Sequence, residues 1–341
     1  RKLFCSLLII LSQSQFMTLQ IGGERQCFRW RRKLLLLVTG ISIELSGSKS
    51  CVHALQTRTS TLVPWTDSSQ SIGWVREERD PDSQTYTVSI AWDKDPEVVI
   101  KLPFLAAKEA DSLGSTLWPP AFAGAILGRS PAMRQFVKNK QIMELGAGLG
   151  LTGWTLAQSA ASCRLTDNDQ GIVDLLQELA DESLPSGNVQ ASFLEWRTGQ
   201  EVETEDKVDL IFGTDIAYYY FLLRPIMDTV QAYKRQDSAI CVLGQGNRES
   251  QWELYHNIKD GCYNQLTDEH EKPWSGTTKM LLYKLQMQAW HEEGETGVSG
   301  NELIDGVVPI AALIHEQAGN ELSPLTPHDF IATAMEESKL T

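Results

Sequence analysis

Cysteine is scarce in this chain and nowhere paired as metal sites need. The six residues Cys5, Cys27, Cys51, Cys163, Cys241 and Cys262 include no C-x-x-C pair and no ligand spacing with histidine. The six histidines are scattered, so neither a metal cluster nor a Ser-His-Asp triad is expected. Long apolar runs are also missing. The run at residues 34–38 is soon interrupted by Thr39, Gly40 and Glu44, too short for a spanning helix, so no stable membrane insertion is expected. Positive charge is short as well: 30 Lys and Arg stand against 44 Asp and Glu, for a formal net charge of -14. Residues 1–54 hold most of the local excess of base, which leaves about -20 on the remainder. An acidic body lacks the basic face that phosphate neutralisation requires, so nucleic acid is not the expected partner and a basic protein fits better.

What is present suits a globular protein. With 341 residues and 42% hydrophobic composition, the chain is long enough for one catalytic-size domain with extensions, expected to act as a monomer. It begins at Arg1, with Met17 as an alternative start. Residues 1–54 read either as a targeting presequence (Arg25, Arg29, Arg31, Arg32, Lys33, the apolar run, then Val52-His53-Ala54) or as a disordered leader. The compartment accordingly reads as cytoplasmic, or as an organelle or the endomembrane system if the presequence operates. Residues 55–113 read as an extension: a polar linker through Gln70, then a β-hairpin of alternating residues 85–92 and 97–102 around the turn Asp93-Lys94-Asp95-Pro96. Residues 287–341 hold ten acids and only Lys339 as a base, and read as an acidic tail. In it, 290–301 is expected to be disordered, and Thr326-Pro327-His328-Asp329 to open a short helix.

Between these, residues 114–286 alternate strand and helix patterns, the signature of a parallel sheet with helices on both faces. Strands are expected at 141–145, 163–166, 189–193, 208–213 and 238–243, and helices at 151–161, 171–182, 222–233 and 251–259. Two further strand-like runs, 263–269 and 278–285, are expected to form a closing antiparallel hairpin. The fold class is α/β.

The most informative stretch is Met143-Glu144-Leu145-Gly146-Ala147-Gly148-Leu149-Gly150, a strand entering a glycine loop and then a helix. Glycines let backbone turn sharply and approach a ligand closely. G-x-G-x-G also fits nucleotide binders, but Glu144 sharpens the reading. A carboxylate there suits the ammonium of S-adenosylmethionine and would repel the pyrophosphate of a dinucleotide. The second strand ends Leu165-Thr166-Asp167-Asn168-Asp169, where Asp167 is placed for ribose hydroxyls and Asp169 either joins it or caps the next helix.

From Gly114 to Leu285 the chain resembles the seven-strand protein-lysine methyltransferases known as methyltransferase family 16. The matching elements are G-S-T-L-W-P, M-E-L-G-A-G-L-G-L-T-G, L-T-D-N-D, F-L-E-W and G-T-D-I-A-Y, in order and at matching spacing. The resemblance implies a Rossmann-like seven-strand methyltransferase sheet, S-adenosyl-L-methionine as cofactor, and a protein substrate presenting a lysine. It implies cofactor contacts from Trp118, Glu144, Gly146, Ala147, Gly148, Asp167, Trp196 and Thr214. Thr214 stands where the family usually has Ala. Asp215 and Tyr218 match the family's D-x-x-Y element and would orient the acceptor amine. The following Tyr219-Tyr220-Phe221 makes an aromatic run with Tyr218. The run either walls the acceptor or packs a helix start, and packing is expected for at least two of the four. Arg248 either lines the substrate mouth or is a solvated loop residue. The acceptor stays open at this point: protein histidine or a small molecule would use the same scaffold, and a binding-only protein would keep the pocket without productive chemistry.

Overall fold

The computed structural model describes residues 16–21, 24–29, 57–64, 73–80, 85–92, 96–103, 113–183, 187–197, 201–260, 276–289, 306–316 and 333–334. Contacts divide the chain into two units, Arg1–Val52 and His53–Thr341. In the first, β1 (Phe16–Ile21) and β2 (Glu24–Arg29) pair antiparallel, with Phe16 opposite Arg29 and Ile21 opposite Glu24. The Gly22-Gly23 dipeptide between two strand-length runs is a hairpin signal that reading this stretch as a leader passes over. Residues 34–38 and 52–54 lie outside the described residues.

The second unit opens with β3 (Thr57–Pro64), β4 (Gly73–Asp80), β5 (Thr85–Ala91) and β6 (Val98–Pro103). There follow α1 (Pro119–Arg129), α2 (Pro131–Val137), β7 (Gln141–Leu145), α3 (Leu151–Ala157), β8 (Ser162–Asp167), α4 (Gln170–Ser183) and β9 (Val189–Phe193). The chain continues through β10 (Val208–Thr214), α5 (Tyr220–Tyr233), β11 (Lys234–Gln245), α6 (Glu249–Asp260), β12 (Thr277–Ala289), β13 (Gly306–Glu316) and the two-residue β14 (Thr333–Ala334). One sheet runs in the order β6-β5-β4-β3-β12-β13-β11-β10-β7-β8-β9, with β14 also on β12. Strands β7 to β11 pair parallel, and β13 lies antiparallel to both β11 and β12. From β7 the chain winds outward to β8 and β9, then returns to place β10 and β11 on the other side of β7. The order therefore reverses between β7 and β10, the switch point at whose carboxyl side open α/β sheets place their ligands.

Burial explains why these segments are strands. The strand β10 (Val-Asp-Leu-Ile-Phe-Gly-Thr) has neighbours on both edges and helices on both faces, and Leu210, Ile211 and Phe212 are fully buried. Each such side chain contributes roughly 1.5–3 kcal/mol. The sheet separates two apolar clusters: one with α1, α2, α3, α4 and the β4–β6 wing, the other with α5 and α6. Helix α1 joins wing and parallel sheet, packing on β4, β5, β11 and α3. It starts on Pro119-Pro120, with fixed φ suited to a first turn, and buries Phe122 and Ile126 completely. A Cβ on Gly73 of β4 would come within 2.4 Å of Ile126, so the wing meets this helix at a glycine.

Three expectations are corrected. The partner of β12 in the closing hairpin is β13, taken from the stretch expected to be acidic tail, so the domain does not end at 286. The run Val307-Val308-Pro309-Ile310-Ala311-Ala312-Leu313-Ile314 is apolar throughout, as befits a strand with neighbours on both edges, and the surrounding acids obscure it. The alternative partner, 263–269, lies outside the described residues, as do 290–301 and the helix start at Thr326. Part of the polar linker is strand: Thr57–Pro64 pairs with both β4 and β12, because alternating Thr residues suit a pleated surface as well as a linker. The hairpin β5–β6 forms where expected, with Ile90 opposite Val98 and Thr85 opposite Pro103, and it extends the main sheet through β4 and β3.

Candidate functional site at the carboxyl edge of the sheet

The glycine loop leaves β7 and enters α3 through three left-handed residues, Gly146 (φ 59), Gly148 (φ 54) and Gly150 (φ 73). Any other residue type there would be strained. Contacts reinforce the requirement at two of them. A Cβ on Gly148 would sit 2.8 Å from the Gly114 carbonyl oxygen, so the G-S-T-L-W-P element lies directly against the loop. One on Gly146 would sit 3.1 Å from the Trp196 ring and 3.1 Å from Ile216. Trp196 and the turn that carries Asp215 thus flank the loop's other side. Ala147 ties the loop to β8, its N–H donating to the Thr166 carbonyl at 2.8 Å.

Asp167, at the end of β8, accepts from the Gly148 N–H at 3.0 Å on one oxygen and from the Asp169 N–H at 3.1 Å on the other. Burial raises its pKa, against the pull of these backbone N–H groups. Asp169 caps α4, its Oδ1 accepting from Gly171 N–H at 2.9 Å. Trp118 is partly exposed and donates its indole N–H to the Leu113 carbonyl at 3.0 Å. Thr214 is half-buried with its methyl turned toward Gly124 of α1.

Glu144 lies elsewhere than its spacing suggested. Its side chain is sealed beneath the loop, where Oε2 accepts from the Gly153 N–H in the first turn of α3 at 2.8 Å while Oε1 is buried without a partner. The carboxyl therefore caps α3 and braces the loop from below. The signal for this was Gly153, which leaves room for a side chain from β7. Burial raises the Glu144 pKa to about 8, opposed by the Gly153 hydrogen bond and helped by Asp167. A carboxyl whose folded pKa lies above its ordinary 4.5 gives its full stabilisation below that value and loses it as pH rises through about 8. Thermal denaturation of the ligand-free protein should accordingly show stability falling across this window, and Glu144→Gln should flatten the fall. An unchanged slope in the variant would assign the titration to other groups.

Asp215 follows β10 in a left-handed conformation (φ 56), uncommon for a residue with a side chain and a source of local strain. Its N–H is anchored to the Leu243 carbonyl at 2.7 Å, and its side chain is nearly buried. Oδ2 accepts from Arg248 Nη2 at 3.1 Å and, weakly, from Gln245 Nε2 at 3.4 Å, while Oδ1 is buried with no partner. Burial raises the Asp215 pKa, with Arg248 and Gln245 opposing. Gln245 was not anticipated, although its place at the end of the fifth strand marks it as a rim residue. Tyr218 is half-buried, its phenol pKa raised by burial and by Asp167, Tyr219 and Asp215, so it faces both carboxylates. Ser250 donates to the Ala217 carbonyl at 2.5 Å, fastening this turn to the start of α6.

The aromatic run does not pack as expected. Tyr219, Tyr220 and Phe221 are 48%, 56% and 72% exposed, so at most Tyr218 serves the core. The rings are nevertheless ordered: Tyr219 meets Tyr218 edge-on at 4.9 Å and stacks on Phe221 at 5.2 Å, and Tyr220 donates to Glu249 at 2.9 Å. Helix α5 turns its apolar face inward through Leu223, Ile226, Met227 and Val230, which leaves its first turn at the rim.

A parallel sheet ordered β9-β8-β7-β10-β11, closed by antiparallel β13 and β12 and carrying a glycine loop at its switch point, defines a Rossmann-like methyltransferase domain. Residues 101–260 match the profile of the family described as Lysine methyltransferase. Among curated relatives, the chain is 30% identical over 107 residues to Protein N-lysine methyltransferase METTL21A of Danio rerio, a match covering 30% of this chain and 49% of the relative. It is 28% identical over 144 residues to the protein of the same name in Xenopus tropicalis, covering 39% of this chain and 65% of the relative. The chain thus spans about half to two thirds of the length of these relatives. Among solved structures, the T. thermophilus 16S rRNA N2 G1207 methyltransferase (RsmC), in complex with AdoMet and guanosine, aligns with TM-score 0.40 and 15% identity over 69% of this chain and 51% of that one.

Proposed function

We propose that this protein is an S-adenosylmethionine-dependent protein-lysine N-methyltransferase that acts as a monomer on a protein substrate. The observation that carries the reading is Asp215: a strained, nearly buried carboxylate with one unpartnered oxygen, beside a glycine loop at the switch point of the sheet. The residues present fit the cofactor. Gly146 and Gly148 keep the loop free of side chains, Asp167 has oxygens with remaining acceptor capacity for ribose hydroxyls, and Trp196 places its ring beside Gly146, an apolar neighbour for adenine. Trp118, Ala147 and Thr214 complete the rim, and Glu144 supports it from beneath. Free, buried Cys163 and Cys241 suit a reducing compartment, and we read the location as cytoplasmic.

When bound, S-adenosylmethionine supplies a methyl group on a sulfonium. The acceptor nitrogen must arrive with its lone pair free, yet a lysine ordinarily titrates near ~10.4. Asp215 Oδ1 accepts a hydrogen bond from the amine and sets its direction, while the Tyr218 ring and hydroxyl bound the other side. The bound cofactor would give up its methyl to the nitrogen and depart as S-adenosylhomocysteine, while Asp215 would hold the nitrogen in line and its proton would pass to solvent at the rim. Most of the acceleration is positioning.

The test is transfer of a tritiated methyl from S-adenosylmethionine by the full chain into a cell extract, followed by acid hydrolysis of the labelled band. Label in methyl-lysine supports the reading. Label in methyl-histidine, or only in small molecules, overturns the acceptor while keeping the enzyme class. The exposed Tyr219 and Phe221 stack is placed to meet residues beside the acceptor lysine. Replacing both with Ala should raise KM for the labelled protein about tenfold, as expected for the loss of one or two aromatic contacts, and leave cofactor affinity unchanged. Steady-state kinetics on the purified acceptor would check this.

A further inference from the structure

Arg248 is the one cation among the described residues that is paired with Asp215. It sits in the turn between β11 and α6, and that turn is built to hold it. The Arg248 N–H closes on the Gln245 carbonyl at 3.0 Å, the Gly246 N–H is fixed to the Pro309 carbonyl of β13 at 2.6 Å, and Trp252 donates to the Gly246 carbonyl at 2.9 Å. Gln251, fully buried, donates to the Val242 carbonyl at 3.1 Å. The Arg248 side chain is only 29% exposed, with Nε buried and unpaired, so it is not a solvated loop residue.

The pairing is one-sided. Arg248 and Gln245 both address Oδ2, while Oδ1 stays buried without a partner in a side chain only 7% exposed. A bidentate Arg–carboxylate fork would have occupied both oxygens, and this geometry forgoes it. The charges also cancel, since Asp215 and Arg248 together sum to zero. An ammonium entering a neutral, partly buried site pays desolvation without a net counter-charge, whereas an uncharged amine does not.

We propose that Arg248 is a positioning residue for the acceptor: by holding Oδ2 it leaves Oδ1 as the seat for the incoming amine and cancels the charge that would keep that amine protonated. The proposal rests on the reading of Asp215 as the amine-receiving group. Other groups face Asp215 as well: Gln245 from the end of β11, and the Tyr218 phenol, which also feels Asp167 from β8. None of these carries positive charge, so removing Arg248 leaves a net anion beside the amine.

The test uses the full chain with saturating S-adenosylmethionine and the acceptor protein found by labelling, with rates taken from pH 6.5 to 9.5, a span of roughly the range between ordinary His and Lys titration. Arg248→Gln keeps a hydrogen-bond donor in the turn and removes the charge; Arg248→Lys restores the charge. In Arg248→Gln the bound amine holds its proton more tightly, so the alkaline rise should move up by about one pH unit. The rate should then fall about tenfold near neutrality and recover at high pH. Arg248→Lys should recover most of the neutral-pH rate. A loss equal at all pH values, or no rescue by Lys, would mean that Arg248 only holds the turn, and either overturns the proposal. Unchanged kinetics in Arg248→Gln overturns it too. Asp215→Asn serves as the separate arm: if that variant methylates normally, the reading of Asp215 itself has failed, whatever Arg248 does. Melting curves and cofactor binding confirm that each variant is folded.

Discussion

Asp215→Asn should lower the methyl-transfer rate by at least about 100-fold while cofactor affinity stays at the wild-type level. Asn is the informative replacement because the site demands two things of residue 215. The backbone is left-handed at φ 56, a conformation that Asn and Asp tolerate better than other side chains, so Asn keeps the turn where Ala would add strain to the loss of the carboxylate. Asn also offers Arg248 a carbonyl oxygen in the place of Oδ2. What it cannot offer is a second acceptor, since its other terminal atom is an N–H₂ donor that opposes an incoming amine. The loss should therefore appear in kcat/KM for the protein acceptor. The proposed cofactor contacts, Gly146, Gly148 and Asp167, lie across the loop, and titration calorimetry should show cofactor binding unaltered. If cofactor affinity fell in step with activity, Asp215 would belong to the cofactor pocket.

The loop was legible in sequence because local spacing decides it. A strand, a tight glycine turn and a helix leave few arrangements, and strands 141–145 and 189–193 match the observed bounds to the residue. Where side chains point was less legible. Glu144 and Asp167 are both acids at strand ends, yet Glu144 lies under the loop and Asp167 on its rim. The difference rests on Gly153, nine positions along, whose missing side chain opens the space into which Glu144 turns. Long-range pairing was hardest to read. Strand β13 lies far along the chain from its partner β11, with Ile240 opposite His315, and its acidic flanks give the composition of a tail. Arg248 shows the same limit at the site. Its sequence neighbourhood, G-Q-G-N-R-E, looks like a solvated loop, and only the approach of β10 and β11 brings it to Asp215.

Gly153→Ala should be among the most destabilising single-methyl additions in this domain, and it should weaken cofactor binding as well. An ideal Cβ at that position would stand 2.1 Å from Leu165 Cδ2 and 2.5 Å from Glu144 Oε2, and neither neighbour has room to give. Leu165 is fully buried in β8, and Glu144 is held by the very N–H that residue 153 supplies. Overpacking of a tight core typically costs about 1–3 kcal/mol, and here it adds to the displacement of a buried carboxyl from a hydrogen bond worth about 1 kcal/mol or more. The first turn of α3 must move outward, carrying Gly148 and Gly150 with it, so the damage extends to the loop proposed to receive the cofactor. Ala is otherwise the better helix former, by about 1 kcal/mol over Gly, so propensity alone would stabilise the variant. A melting temperature several degrees lower, with weaker protection by S-adenosylmethionine, would show that close packing wins. A higher one would show that the space around residue 153 relaxes freely, and that Glu144 does not need its place beneath the loop.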